Sequence, residues 1–316
     1  MGTYILRRLS LMVPTILLVV TVTFILMHIM PGDAVMARIE EGTTLSKAQL
    51  TAMRADLGLE RPLVVQYGDW LWRLAHGDAG RSLYTGRPAI DQLRRAIPVT
   101  VELMVLSQIL AISIAVPIGV ISAIKQDTWL DYVLRVFSIG LVAAPGFWLA
   151  TMAIVFAAYL YHWAPPFGYA PLWDDPMTNL KQFVVPAMVV GLHGTATTMR
   201  LTRSAVLEVM RQDYVRTAKA KGLTGRVILG RHVLRNALIP VVTHWGSSIA
   251  IQLGGTVIIE SIFALPGVGL SMIGAIQHYD VVQLQINIVF FGLAVSFMNL
   301  MVDLSYTFLD RRVRYQ

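Results

Sequence analysis

Long apolar segments alternate with polar ones along the chain of 316 residues. Six of the apolar segments reach about 20 residues, the length at which an α-helix crosses a hydrocarbon core ~30 Å thick. Their approximate bounds are 9–30, 101–124, 133–161, 183–201, 239–262 and 286–309. The fourth segment is the least apolar, because it contains His193 and several threonines. This pattern predicts an all-α polytopic membrane protein with six transmembrane helices.

Composition supports a membrane protein. Hydrophobic residues make up 55% of the chain and charged residues 14%, against about 25% charged residues in soluble domains. The chain has no cysteine, which excludes disulfides, thiolate metal sites and a cysteine nucleophile. The net charge of +7 is explained by the enrichment of Lys and Arg in cytoplasmic loops.

The distribution of Lys and Arg predicts the orientation. The connection after the fourth segment has nine basic residues against two acidic ones, Glu208 and Asp213, whereas the connection 263–285 has no Lys or Arg. We therefore expect the basic connection and both termini to be cytoplasmic. The long connection after the first segment then lies outside, since long loops cross the membrane largely regardless of charge.

Five regions follow from this topology. Residues 1–30 form an N-terminal transmembrane helix, 31–95 an external segment and 96–309 the transmembrane core. The core contains a cytoplasmic loop at about 204–238, and residues 310–316 form a cytoplasmic tail.

The external segment has the pattern of ordered structure. We expect a short helix between Ser46 and Gly58, followed by the amphipathic stretch "QYGDWLWRLAHGD". Trp70 and Trp72 in this stretch fit either an interfacial aromatic belt or a docking surface for an external partner.

The cytoplasmic stretch "DYVRTAKAKGLTGRVILGRHVLRNALIP", residues 213–240, is too polar to cross a bilayer. It predicts a helix over 213–221 that ends at Gly222. Thr224 is placed to cap a second helix over 226–237, and Pro240 marks the beginning of the fifth span. Glycine, alanine and periodic charge fit three interpretations: a loop lying along the membrane, a helix-turn-helix DNA-binding motif, or a docking element for a cytoplasmic partner. The DNA-binding interpretation is disfavoured, because the stretch is attached at both ends to membrane-spanning segments.

The stretches "YVRTAKAKGL" and "RHVLRNALIP" resemble the cytoplasmic EAA loop of binding-protein-dependent ABC importer permeases, in particular the dipeptide, oligopeptide and nickel branch. Ala218 and Gly222 match the EAA pattern, whereas Arg216 and Thr217 stand where Glu and the first Ala would be. In that family this loop contains the coupling helix that contacts the ATPase subunit. The resemblance implies a coupling role for six residues: Tyr214, Arg216, Thr217, Ala218, Lys221 and Gly222.

The resemblance extends over essentially the whole chain. It includes "LRRLSLMVPTILLVVTVTFILMHIMPGD", "ESIFALPGVGLSMIGAIQHYDVVQLQ" and "NLMVDLSYTFLDRRVRY", in which Arg311 replaces the usual proline. It implies the type I ABC importer permease fold and a multi-pass location in the bacterial inner membrane. It also implies a second homologous permease, two cytoplasmic ABC ATPase subunits and an external solute-binding protein as partners, besides the lipid bilayer and without nucleic acid.

Motifs for chemistry within the chain are not found in the sequence. It has no GK pair for a phosphate-binding loop, no HExxH and no GxSxG, and its seven histidines lack metal-ligand spacing. We therefore expect no catalytic, cofactor-binding or metal residue here, with ATP and Mg bound by the partner ATPases.

Polar and small residues within the spans are candidates for a translocation path, because buried polar groups are costly in a bilayer. The candidates are His193, His244, Gln252, Gly254, Gly255 and Asn287. Gly254 and Gly255 would allow close helix packing or a bend, and Glu260 is expected to reach the outer interface.

The resemblance implies import of dipeptides or oligopeptides, with nickel complexes, glutathione or another small solute as the alternative. A channel or a secondary transporter would be expected to show internal repeats or charges at mid-membrane, and a membrane enzyme would need a catalytic constellation. The sequence shows no persuasive example of these features, so these three classes are disfavoured.

Overall fold

The structure is a computed structural model that describes residues 2–29, 61–166 and 168–309, and the backbone alone for 2–8 and 303–309. The described residues are helical apart from loops and one isolated bridge between Arg81 and Pro88. The helices are α1 (Gly2–Ile29), α2 (Leu63–Ala75), α3 (Ala89–Ile124), α4 (Trp129–Ala143), α5 (Gly146–Tyr161), α6 (Pro176–Met210), α7 (Asp213–Ala220), α8 (Arg235–Ile262), α9 (Val268–Gln277) and α10 (Val281–Leu309). A helical turn (Gly225–Val227) and a π-helix (Ile228–Leu234) lead directly into α8.

The centre of the fold is the pair α3 and α6, two helices of 36 and 35 residues. Gly119 and Gly191 let their backbones approach closely. A Cβ at Gly119 would lie 2.7 Å from the carbonyl oxygen of Met199, and one at Gly191 would lie 2.8 Å from that of Ser107. Small residues at helix interfaces commonly serve this purpose in membranes.

The described residues of each of the six predicted spans lie within a helix or a helix pair. Among the described residues, three helices (α1, α3 and α10) are long and apolar enough to cross a membrane, and the bent pair α4 and α5 is a fourth candidate. Helices α6 and α8 have 35 and 28 residues, which is sufficient length, but their polar side chains make them less apolar.

The third predicted span, 133–161, is wrong as one continuous helix. Helices α4 and α5 meet at an angle of 104°. Ala144 is extended and Pro145 precedes the first residue of α5. The break follows from proline chemistry, because the proline ring disfavours helical backbone at the preceding residue and removes a donor.

The helix that contains Trp70 and Trp72 packs beside one end of α1. The Tyr67 hydroxyl lies 2.6 Å from that of Thr21, and the Phe24 ring lies 5.8 Å from the Trp70 ring, whereas Trp72 is largely exposed. The predicted helix between Ser46 and Gly58 lies outside the described residues.

Glu260 does not reach an interface as expected; it is fully buried. Its carboxylate accepts hydrogen bonds from Thr100 Oγ1 at 2.8 Å and from the backbone N–H groups of Gly269 at 2.7 Å and Leu270 at 3.2 Å. Glu260 therefore satisfies unpaired donors in the first turn of α9 and fastens α9 to α3 and α8.

Candidate coupling segment and translocation path

Helix α7 begins and ends as its sequence predicts. Asp213 lies in the first turn, where a negative charge is favoured by the helix dipole. At the other end, Gly222 has a φ of +75°, a left-handed conformation that glycine adopts without strain. Gly222 N–H donates to the Lys219 carbonyl at 3.0 Å and Leu223 N–H to the Ala218 carbonyl at 3.3 Å. This pair of bonds is a Schellman motif.

Helix α7 has a buried face and an exposed face. Val215 and Ala218 are buried in a cluster with Val206 of α6, Ala123 of α3 and Ala237 of α8. The main packing partner of α7 is the π-helix Ile228–Leu234, and the cluster extends from there to the ends of the three long helices. A displacement of α7 would therefore reach α6 and α8 mainly through the π-helix, which contacts both, because packed interiors transmit strain.

Five of the six candidate coupling residues lie on the exposed side or at the end of α7. Tyr214, Arg216, Thr217, Lys221 and Gly222 are exposed. Ala218 is buried, so its side chain faces the cluster rather than a surface where a partner would dock.

The second predicted helix begins close to its predicted start but does not end where predicted. Thr224 occupies the cap position but its side chain makes no capping hydrogen bond, and the helical segment does not end at Ala237. It runs as a π-helix over Ile228–Leu234 and continues into α8, which begins at Arg235 and contains Pro240. Asn236 Nδ2 donates to the Tyr214 hydroxyl at 3.1 Å, which joins α7 to the first turn of α8.

The exposed surface of this segment is basic. The cations exposed between the end of α6 and the start of α8 are Arg211, Arg216, Lys219, Lys221, Arg226, Arg231 and Arg235. Asp213 is close to one of them, with Arg216 Nη1 at 3.4 Å, but an exposed pair of this kind contributes little to stability. The segment presents a positively charged surface around α7.

The path candidates are brought together only in part. Gln252 of α8 accepts a hydrogen bond from Gln108 Nε2 of α3, and Gln108 Oε1 in turn accepts one from Trp245 Nε1 at 2.6 Å. Gly194 of α6 lets the Gln252 side chain approach its backbone, since a Cβ at Gly194 would lie 2.5 Å from Gln252 Nε2. The three helices therefore meet at a polar network within the membrane-spanning part of the chain.

The other candidates lie elsewhere. His193 is exposed and His244 is half-buried. Gly254 and Gly255 have no atom within 4 Å of an added Cβ, so close packing within the chain is not their role. Asn287 is fully buried and its Nδ2 donates to Ser271 Oγ at 3.0 Å, which places it in the contact between α9 and α10.

Sequence reasoning missed two groups of polar residues that organise the site. Gln108 and Trp245 complete the network around Gln252, and a glutamine inside an apolar span was the signal available for Gln108. Asp280 is the other omission: its buried carboxylate accepts hydrogen bonds from Ser82 Oγ and from Leu83 N–H at 3.0 Å. Among the described residues, no group of three or more His, Asp or Glu side chains has the arrangement of a metal site.

Comparison with known proteins places the chain in a family. Residues 115–315 match the family model described as "Binding-protein-dependent transport system inner membrane component", and residues 1–104 match the corresponding N-terminal model. The chain therefore belongs to the family of inner-membrane components of binding-protein-dependent transport systems.

Full-length relatives support this assignment. A putative peptide transport system permease protein of Brucella abortus is 38% identical over 315 residues, covering 100% of both chains. The dipeptide transport system permease protein DppB of Alkalihalophilus pseudofirmus is 34% identical and covers 99% of both chains. Among solved structures, the MetNI methionine ABC transporter in an inward-facing conformation matches with a TM-score of 0.55 at 15% identity, over 70% of this chain and 97% of that one. The structural match supports the fold of an ABC importer permease.

Proposed function

We propose that this chain is the permease subunit of an ATP-driven importer that receives peptides from an external solute-binding protein. Family membership supports the transport role, and the peptide and dipeptide permeases among the full-length relatives support peptides as cargo. Those names favour peptides over nickel complexes, glutathione or another small solute.

The observation that carries the coupling role is the two-sided environment of α7. Its basic face is exposed, while Val215 and Ala218 are buried in a cluster that includes the π-helix and the ends of α3, α6 and α8. In the proposed arrangement, a cytoplasmic ATPase subunit contacts Tyr214, Arg216, Thr217, Lys221 and Gly222. Closure of the ATPase pair on ATP then moves α7, and the buried contacts pass that movement to α6 and α8.

The proposal includes a second permease subunit and two ATPase subunits, which bind ATP and Mg. It also places both termini and the segment around α7 on the cytoplasmic side, since Lys and Arg concentrate there. In this proposal the polar network of Gln108, Gln252 and Trp245 lies on the translocation path. Polar residues inside membrane-spanning helices commonly line a pathway or pair with one another.

Co-purification combined with uptake tests this function. The tagged chain is isolated from its native cells in mild detergent, its partners are identified by mass spectrometry, and the complex is reconstituted in vesicles with the binding protein. We expect a second six-span permease, P-loop ATPases and ATP-dependent uptake of a labelled peptide. Isolation of the chain alone, with solute transport that needs no ATP, would contradict the proposal.

A further inference from the structure

A cavity of about 630 Å³ opens where the start of α3 meets α9. Its charged and amide-bearing lining residues include Arg87, Asp91, Arg95 and Gln283, beside apolar wall residues such as Leu270. We propose that this cavity binds a short zwitterionic peptide, with its terminal carboxylate at the two arginines. This inference rests on the proposed function and adds to it a substrate-binding site on the chain itself.

The charges suit a ligand that carries both signs. Arg87 and Arg95 are exposed, and among the described residues no carboxylate lies within ion-pair distance of either guanidinium. Guanidinium groups bind carboxylates through paired, charge-assisted hydrogen bonds. Asp91 lies one helical turn before Arg95 without pairing with it, so its carboxylate remains available for an ammonium group.

Hydrogen bonds within the chain hold the cavity in shape. The Asp280 carboxylate accepts bonds from the Ser82 hydroxyl and from the backbone N–H groups of Leu83 at 3.0 Å and Gln283 at 3.1 Å. It thereby fastens the segment before α3 to the start of α10. A cavity fixed in this way costs a ligand little ordering of the protein.

The remaining lining fits the side chains of a peptide. The rings of Tyr84 and His278 stack with centroids 3.9 Å apart and form an aromatic wall. Gln283 is buried, its Nε2 donates to Asn287 Oδ1 at 2.9 Å, and its Oε1 has no partner among the described residues. The bond to Asn287 holds the Gln283 side chain in the wall of the cavity.

Cavity size favours a small solute over a protein surface. Small-molecule sites occupy about 300–1,000 Å³ and combine apolar walls with a few polar groups, a description that this cavity meets. A docked protein would instead require a broad contact surface.

Peptide binding to the purified complex, in lipid nanodiscs and without the binding protein, tests the inference. The probe is labelled trialanine, compared with C-terminally amidated trialanine. We expect trialanine to bind, and the double variant Arg87→Gln/Arg95→Gln to weaken its binding about tenfold. Amidation should weaken binding to the wild type similarly and make little further difference in the variant.

Arg94→Gln is the matched control, because Arg94 is exposed on the same turn of α3 but does not line the cavity. Equal trialanine binding by wild type and double variant, or binding by neither, would overturn the inference. So would a double variant that binds trialanine normally but loses stimulation of its ATPase by the binding protein, since the cavity would then be a protein-docking surface. Wild-type peptide uptake, measured in parallel, separates these outcomes from failure of the proposed function.

Discussion

The carboxylate of Asp131 is held by the guanidinium of Arg203 through two hydrogen bonds, 2.8 Å from Nε and 2.7 Å from Nη2. Asp131 is fully buried and also accepts a hydrogen bond from Ser122 Oγ at 2.5 Å. The three residues belong to α4, α6 and α3. This paired charge therefore fixes the start of the bent helix pair to the central helices, close to the segment around α7.

Removal of one member of this pair should destabilise the protein severely. Arg203→Gln would remove both hydrogen bonds of the guanidinium and leave the buried Asp131 carboxylate only the weaker ion pair with Arg135, whose Nε lies 3.6 Å away. We expect a loss of about 3 kcal/mol in the free energy of unfolding. Arg216→Gln is the control, because it breaks only the exposed contact with Asp213 and should change stability by less than ~0.5 kcal/mol. Unfolding in detergent, followed by tryptophan fluorescence, measures both. Similar stabilities for the two variants would show that the Asp131 pair is not structural.

Two glycines of α9 should respond differently to the same substitution. A Cβ at Gly269 would lie 2.5 Å from the Cα of Val257 and 2.9 Å from Glu260 Oε2, whereas one at Gly274 meets nothing within 4 Å. Gly269→Ala should cost about 1–3 kcal/mol through overpacking, while Gly274→Ala should be neutral or slightly stabilising, because alanine favours helix. Hydrogen exchange over residues 268–277 tests this difference. Unchanged protection in the Gly269 variant would mean that Glu260 does not hold α9 in the way described.

Alkaline pH should weaken the contact between Tyr169 and Glu102. The Tyr169 hydroxyl donates to Glu102 Oε2 at 2.8 Å, and burial together with this hydrogen bond raises the pKa of Tyr169 to about 12. Tyrosine in an unfolded chain has a pKa of about 10, so Tyr169 in the folded chain keeps its hydroxyl proton to a higher pH. Stability should therefore fall as pH rises from about 10 to about 12.

The variant Tyr169→Phe isolates this effect. It should remove part of the slope of stability against pH in that range, whereas Tyr159→Phe, at a side chain that is 81% exposed, should leave the slope unchanged. Thermal unfolding in detergent over this pH range gives the slopes. Identical slopes in all three proteins would contradict the assignment.

Coupling should depend on the end of α7. Gly222→Val would force a β-branched residue into a φ of +75°, at a cost of roughly 1–2 kcal/mol for the helix end. We expect uptake of labelled peptide to fall about fivefold, with membrane insertion unchanged. Gly225→Val is the control, because that position lies in a helical turn with open space around it. Normal uptake by the Gly222 variant would show that the conformation of this turn is not needed for coupling.

The sequence was most informative where a pattern is local. Helices α1, α3 and α10 follow from their apolar runs, and α7 follows from Asp213 at its start and Gly222 at its end. The break before Pro145 could also have been predicted, since the residue before a proline disfavours the helical conformation. The continuous apolar sequence on both sides of it led instead to the prediction of one span.

Burial and pairing could not be read from the sequence in the same way. In the sequence Arg203 is one more cation of the cytoplasmic loop, yet it pairs with Asp131, which lies 72 residues earlier. The position of Glu260 near the end of its span predicts that it reaches water, whereas the packing of α9 over it explains its burial. Gly254 and Gly255 differ from the prediction in the opposite direction. Close helix packing was expected there, yet an added Cβ at either position meets no atom within 4 Å, because small residues can also lie on an open face.

The most direct test of the central claim is a cross-link from the exposed face of α7 to the ATPase subunit. The chain has no cysteine, so Thr217→Cys introduces a single thiol on that face, and Tyr159→Cys introduces one on the exposed surface of α5 as a control. Membranes containing the whole complex are treated with a short thiol-to-amine cross-linker, and the products are identified by mass spectrometry. The account predicts that Thr217→Cys cross-links to a P-loop ATPase subunit in a manner that changes with ATP, and that the control does not. Cross-links from Thr217→Cys only to lipid or to this chain itself would contradict it.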